Sequence, residues 1–368
     1  MSNESLIVDW EDVAVRLVRQ CAQLQVGERA VVLHTRVWEP QVAAELHDAI
    51  VRAGGVLLAE LVRGSSCATR HIRALTDPAR GAVLDREDAA YVRLLGEADV
   101  LFWLGTGNAV GRPKRWEKIL AAVPRVRSVH FHWFMPEDEA SRRLCEATYV
   151  AAMRVEPSEL YTLQSYLVQA LQGGEAHITS PEGTDLRLRF PAGARFKLNT
   201  GATQSANVAD SDAVRSREEE FPASAIRTVD AVPHGTLIAR ILDNDACDRA
   251  VVTFDHGRVT SLTGSGPTFD NFLAAHAAAT GDTCQFAEFL LGTNTALQRV
   301  LPSGYLPYYA TGGGNVQLRI GDNWESGGRN RASDHYQEIF VLTDATVTVS
   351  SRTLVDRGEL CAVPGGLQ

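Results

Sequence analysis

The sequence predicts an α/β protein of two domains: an N-terminal parallel-sheet α/β domain over residues 1–155, then an α+β domain of mostly antiparallel strands over 156–368. Three observations carry this prediction. The first third alternates short apolar runs with stretches of helical period, the pattern of strand–helix–strand units. After about residue 150 polar and apolar residues alternate between glycine-rich turns, as half-buried antiparallel strands require. The chain has 368 residues, and at roughly 150 residues per domain that length suits two.

Taken in order, Trp10 to Leu24 carries Val13, Leu17, Val18, Cys21 and Leu24 at helical spacing, with acidic residues near its start. Arg29 to His34 is a short apolar strand. Pro40 to Ala53 is predicted helical and stops at Gly54 and Gly55. Val56 to Val62, Asp99 to Leu104 and Val126 to Phe131 follow as strands, with a helix near Asp88 to Glu97. Gly105 and Gly107 follow a strand without completing a dinucleotide fingerprint, so they are read as a tight turn. His130 and His132 share one face of their strand. With no third ligand in view, they are assigned a hydrogen-bonding role at the sheet end.

In the second half Pro157 to Ala170 reads as one amphipathic helix stopped by Gly173 and Gly174. Strands are expected at Asp185 to Phe190, Thr236 to Leu242 and Ala250 to Phe254. The last of these turns at Asp255, His256 and Gly257 into Arg258 to Thr260. A helix is expected at Thr268 to Ala279, and sheet from Ile339 to Leu354. The charged stretch Ser216 to Glu220 is read as a solvated loop. Gly312 to Gly314 precedes a strand and lacks the lysine of a phosphate loop, so it is read as a flexible connector.

Composition narrows the function classes. Apolar residues make up 45% and charged residues 22%, ordinary for a globular protein able to bury its own core. A net charge of -9 opposes non-specific binding to nucleic acid. The six cysteines are irregularly spaced and form no C-x-x-C pair, which reads as scattered thiols in a reducing compartment. No apolar run approaches the ~20 residues that span a bilayer, and no leader pattern opens the chain. The expectation is a cytoplasmic protein with no membrane or nucleic-acid partner.

Three stretches occur in a telling order. Residues 219–226 read E-E-F-P-A-S-A-I, residues 286–294 read F-A-E-F-L-L-G-T-N, and residues 312–323 read G-G-G-N-V-Q-L-R-I-G-D-N, leading to S-D-H-Y-Q at 333–337. They resemble the C-terminal landmarks of the M29 aminopeptidases and the related 2,5-dihydroxypyridine dioxygenases. In the peptidase branch these landmarks supply two glutamates, two histidines and a final aspartate that hold divalent metal. The dioxygenase branch resembles a two-histidine, one-carboxylate Fe(II) site. The match covers roughly residues 150–345 by landmarks. It departs at individual positions: the first glutamate falls on Ala225, the strand histidine on Gln317 and the aspartate on Gln337. Glu288 and His335 are retained.

Two readings follow from the resemblance. In the first, the chain is a ligand-recognition protein without cofactor, holding a peptide or an amino-acid-derived small molecule. Gln317, Arg319, Arg329, Arg331, Gln337 and Tyr309 would contact the ligand, because amides and guanidinium groups suit a peptide backbone and a carboxylate. A biosynthetic accessory role fits such a scaffold. In the second, it is an enzyme with a rewired site, with Glu288 and His335 as acid–base pair or as ligands of Fe(II) or Zn. The resemblance also implies a homodimer paired through the second domain.

Overall fold

In the computed structural model, the described residues are 8–35, 40–63, 89–104, 119–133, 135–136, 138–202, 213–242, 245–333 and 336–361. The expected turn at Gly105 and Gly107 lies outside them, as do Asp334 and His335. The chain forms two compact units. The first comprises Met1–Phe134 and Gly201–Pro222; the second comprises Met135–Thr200 and Ala223–Gln368. This division differs from a single boundary at residue 155 in two stretches. The helix Glu139–Met153 belongs to the second unit, and residues 201–222 return to the first.

Among the described residues the first unit is built on a five-stranded sheet in the order Val56–Arg63, Arg29–Thr35, Val100–Leu104, Arg127–Phe131 and Glu218–Phe221. Every pairing is parallel. Val100–Leu104 is buried along its whole length, as expected for a parallel strand covered on both faces. The predicted first helix divides into an α-helix, Trp10–Val15, and a wider π-type turn, Arg16–Cys21. Asp9 starts it by accepting a 3.0 Å hydrogen bond from the Asp12 amide.

The last strand of this sheet corrects the sequence reading. Ser216 to Glu220 was expected to be a solvated loop, yet Glu218–Phe221 is a buried strand paired to Arg127–Phe131. The physical reason is countercharge from elsewhere in the unit. Arg215 Nη1 lies 3.0 Å from Glu218 and 3.2 Å from Glu220. His130 Nδ1 lies 3.2 Å from Glu218. On the other face Glu219 accepts the Gly201 amide at 2.7 Å. Arg217 donates to the carbonyls of Leu120, Val123 and Val126.

Among the described residues the second unit carries a large antiparallel sheet of 13 strands. Its middle runs Glu175–Thr179, Asp185–Arg189, Val232–Leu242, Gln337–Leu342, Val316–Gly321, Phe286–Gly292, Ala225–Thr228 and Lys197–Leu198. The hairpin strands Asp245–Asp255 and Arg258–Ser265 branch from Val232–Leu242. The expected sheet from Ile339 to Leu354 is three strands, Gln337–Leu342, Thr346–Val349 and Arg352–Asp356. Two helices form close to prediction, Pro157–Leu171 and Pro267–Ala278, each with proline in its first turn.

One sheet face is apolar and forms the core: Ile226, Phe289, Leu291, Val316, Leu318, Ile320, Phe340 and Leu342 pack with Leu167, Leu171 and Phe272. The same strands therefore turn Ala225, Arg227, Glu288, Leu290, Gln317, Arg319 and Gln337 to the opposite face. Gly312 to Gly314, expected to be a flexible connector, is a close crossing of backbones. A Cβ on Gly292 would meet the Gly312 carbonyl oxygen at 2.0 Å, and one on Gly314 would meet that of Gly358 at 1.9 Å. Here glycine is required because main chain touches main chain.

Candidate functional site

The polar face of the second unit gathers a charged cluster on three adjacent strands. Glu288 lies directly across from Arg319 in the antiparallel pairing. A register shift between Phe286 and Glu288 makes this possible. Without the extra residue Glu288 would lie opposite Leu318, whose side chain belongs to the core face. The bulge thus brings an acid and a base to the same side of the sheet.

Arg319 Nη1 lies 3.2 Å from Glu288 Oε2. The same nitrogen donates to Gln337 Oε1 at 3.3 Å, and Nη2 donates to Gln317 Oε1 at 3.3 Å. Glu288 Oε1 accepts from Ser326 Oγ at 2.9 Å. Gln337 Nε2 donates in turn to the Asp322 carbonyl at 3.0 Å. Gln317, Glu288 and Arg319 are 0%, 1% and 6% exposed, so this is an interior ion pair. Glu288 Oε2 meets the guanidinium as a charge contact without aligned hydrogen-bond geometry. Ser326 and Gln337 are the partly exposed members.

The segment after the arginine strand is stitched back onto the bulge. Asn323 Nδ2 donates to the Ala287 carbonyl, at the bulge itself, while Asn323 Oδ1 accepts the Asn330 amide. Asn330 Nδ2 donates to the carbonyls of Phe286 and Gly321. Gly327 turns with φ of 81°. Gly328 has no room for a side chain, since a Cβ there would lie 2.1 Å from the Asn323 amide group. These bonds carry Ser326, on the short turn Trp324–Ser326, up to the carboxylate.

Of the residues singled out from sequence, Glu288, Gln317, Arg319 and Gln337 come together. Arg329 and Arg331 are exposed. Arg331 uses its guanidinium on the carbonyls of Gly328 and Asn330. Tyr309 lies in the turn Tyr308–Ala310, and His335 lies outside the described residues. Arg227 was missed. It is 3% exposed and pairs across from Leu290, which places it on the same face as Glu288. Simple alternation from Ala225, already matched to the site, would have found it.

In the first unit, His130 and His132 do take hydrogen-bonding positions at the sheet end. His130 contacts Glu218, the His132 amide donates to the Phe221 carbonyl, and Trp103 stacks on His130 with ring centroids 3.9 Å apart. Burial pushes the Glu218 carboxyl up, but Arg215 and His130 outweigh it and hold the group below its ordinary value.

Among solved structures, the chain is similar to a 2,5-dihydroxypyridine dioxygenase from Pseudomonas putida KT2440. The TM-score is 0.62 at 14% identity, over 97% of each chain. It is also similar to wild-type AmpT from Thermus thermophilus, with TM-score 0.67 at 16% identity, over 96% of this chain and 99% of that one. No family model and no curated protein sequence matches. The shared feature is the fold, carried at near-full length.

This comparison corrects the expectation of a scaffold without cofactor, because both similar proteins are metal-dependent. The described residues at the landmark positions nevertheless fit a dication poorly. Ala225 offers no donor atom. Gln317 and Gln337 present neutral amide oxygens, and Glu288, the carboxylate of the set, already faces a guanidinium. A dication there would meet like charge at ion-pair distance.

Proposed function

We propose that the polar face around Glu288 and Arg319 recognises a ligand bearing carboxylate or amide groups, a peptide or an amino-acid-derived molecule, in a biosynthetic accessory role. The observation that carries this reading is the Arg319 guanidinium held by oxygens of Glu288, Gln317 and Gln337. A guanidinium is a planar donor suited to bidentate contact with a carboxylate, and primary amides both donate and accept along a peptide backbone. Arg227 adds a second cation to the same face. Gln337 and Ser326, the partly exposed members, are where a ligand first meets the cluster. The chain is proposed to work in the cytoplasm as a homodimer. Its net charge of -9 is a reason to leave nucleic acid aside. No helix among the described residues is long and apolar enough to cross a membrane.

The test is calorimetric titration of the full chain with free amino acids, short peptides and small aromatic acids. Binding of at least one class is expected. Gln337→Leu should weaken it by roughly tenfold, the worth of one hydrogen bond to a charged group. No binding of any class at accessible concentrations, or affinity unchanged in Gln337→Leu, would remove this reading.

A further inference from the structure

A second constellation lies on the same large sheet, and the ligand-recognition reading does not use it. At the tip of the hairpin formed by Asp245–Asp255 and Arg258–Ser265, His234, Asp255 and His256 place one ligand atom each within 4.8 Å of one another. His234 Nδ1 lies 3.2 Å from Asp255 Oδ1, and His256 Nδ1 lies 2.6 Å from the same oxygen. The two rings are tilted, with centroids 5.3 Å apart. All three residues are exposed. We propose that His234, Asp255 and His256 form a surface site for a late first-row divalent cation of the Zn2+, Cu2+ or Ni2+ class.

The backbone holds the three donors in place. Asp255 pairs with Arg258, so His256 and Gly257 alone make the turn. Both have positive φ, 47° and 86°, as the tightest hairpin turn requires. Histidine tolerates this conformation better than most residues with a Cβ. The tip is then fastened on both sides. The Gly257 amide donates to the Pro233 carbonyl at 2.8 Å, and the Gly257 carbonyl accepts the Phe286 amide at 2.8 Å. His234 directly follows Pro233, so the strand bearing one imidazole is bonded to the turn bearing the other. A loose surface hairpin would have to order these side chains on binding; here the main chain has already done so.

The donor chemistry selects the cation. Two imidazole nitrogens and one carboxylate oxygen suit zinc, copper or nickel, whereas calcium and magnesium take oxygen sets. Three protein donors leave one or more positions open to water. The nearby cations are accounted for. Arg187, the cross-strand neighbour of His234, is paired with Glu175 at 2.9 Å. Arg258 faces Asp255 across the turn, and its charge sets the expected affinity nearer micromolar than nanomolar.

The probe is Cu2+ added to one equivalent of the chelator-treated full chain, followed by electron paramagnetic resonance and by calorimetry with Zn2+. The spectrum should show coupling to two imidazole nitrogens. The double variant His234→Gln/His256→Asn should lose that pattern; asparagine is chosen because it tolerates the left-handed turn. Asp255→Asn should weaken Zn2+ binding at least tenfold. Thermal midpoints matching the parent chain would show that the turn survives, as expected at exposed positions. No stoichiometric uptake by the parent chain, or a two-nitrogen signal that persists in the double variant, would overturn the proposal.

Discussion

Both units bury carboxylates against arginine, and they do so with different company. In the first, Glu218 and Glu220 share one guanidinium, Arg215, and histidines stand beside them: His130 at 3.2 Å from Glu218 and His132 at 3.9 Å from Glu220. In the second, Glu288 faces Arg319, and among the described residues the guanidinium also reaches the neutral amides of Gln317 and Gln337. The first cluster sets its carboxylates between a guanidinium and two imidazoles. The second holds a fixed cation aimed by amides, an arrangement suited to meeting an anionic or amide-bearing ligand.

The strongest way to break this comparison is to remove the fixed cation. Arg319→Met strands Glu288 in the interior and should cost about 3–5 kcal/mol in urea denaturation, the usual penalty for leaving a buried charge without its partner. The double variant Glu288→Leu/Arg319→Met should recover much of that loss, because the unpaired charge goes with its mate. A double variant as unstable as the sum of the singles would mean that the pair is not an isolated balance.

A smaller effect is expected from Asn323→Ala. It removes the bond to the bulge carbonyl of Ala287 and the acceptor for the Asn330 amide, at about 1–3 kcal/mol for buried groups left unsatisfied. It should also loosen Ser326 from Glu288. Amide exchange at residues 323–330 that stays as slow as in the parent chain would show that the stitching is dispensable.

The smallest effect at neutral pH should come from Glu218→Gln, about 1 kcal/mol, because Arg215 keeps Glu220. Its signature lies in acid. The folded-state value of Glu218 is depressed, so its contribution is present above the unfolded value of about 4.3. It is lost as pH falls through the folded value. Denaturation midpoints measured on descending pH should therefore fall less steeply in Glu218→Gln. Identical acid limbs would detach Glu218 from the stability of its sheet.

The sequence made some of this legible and hid the rest for physical reasons. Period and turn chemistry are local, so the change from parallel units to an antiparallel sheet could be read directly. Alternation along residues 316–321 puts Gln317 and Arg319 on one side. The buried strand Glu218–Phe221 could not be read in this way. Three successive glutamates look solvated until His130, 88 residues away, and Arg215 are known to be beside them. The bulge at Phe286 to Glu288 leaves no mark in composition, since it is defined by a partner strand. The glycines at 312 and 314 look like slack in the chain, and only the facing carbonyls show them to be contacts.

The return of residues 201–222 to the first unit, and the pairing of Glu175–Thr179 with Thr346–Val349, have a consequence for synthesis. The parallel sheet lacks its Glu218–Phe221 strand until more than 80 residues after Phe131 have been made. Glu175–Thr179 pairs with the nearby Asp185–Arg189 but must wait for its second partner, roughly 170 residues downstream. Such long loops delay closure far more than they weaken the finished sheet. On the ribosome, then, the first unit gains its last described strand only once Pro222 has been made, and the second waits for the last segment. One edge of the Glu175–Thr179 strand must remain competent for a pairing that only the last segment completes.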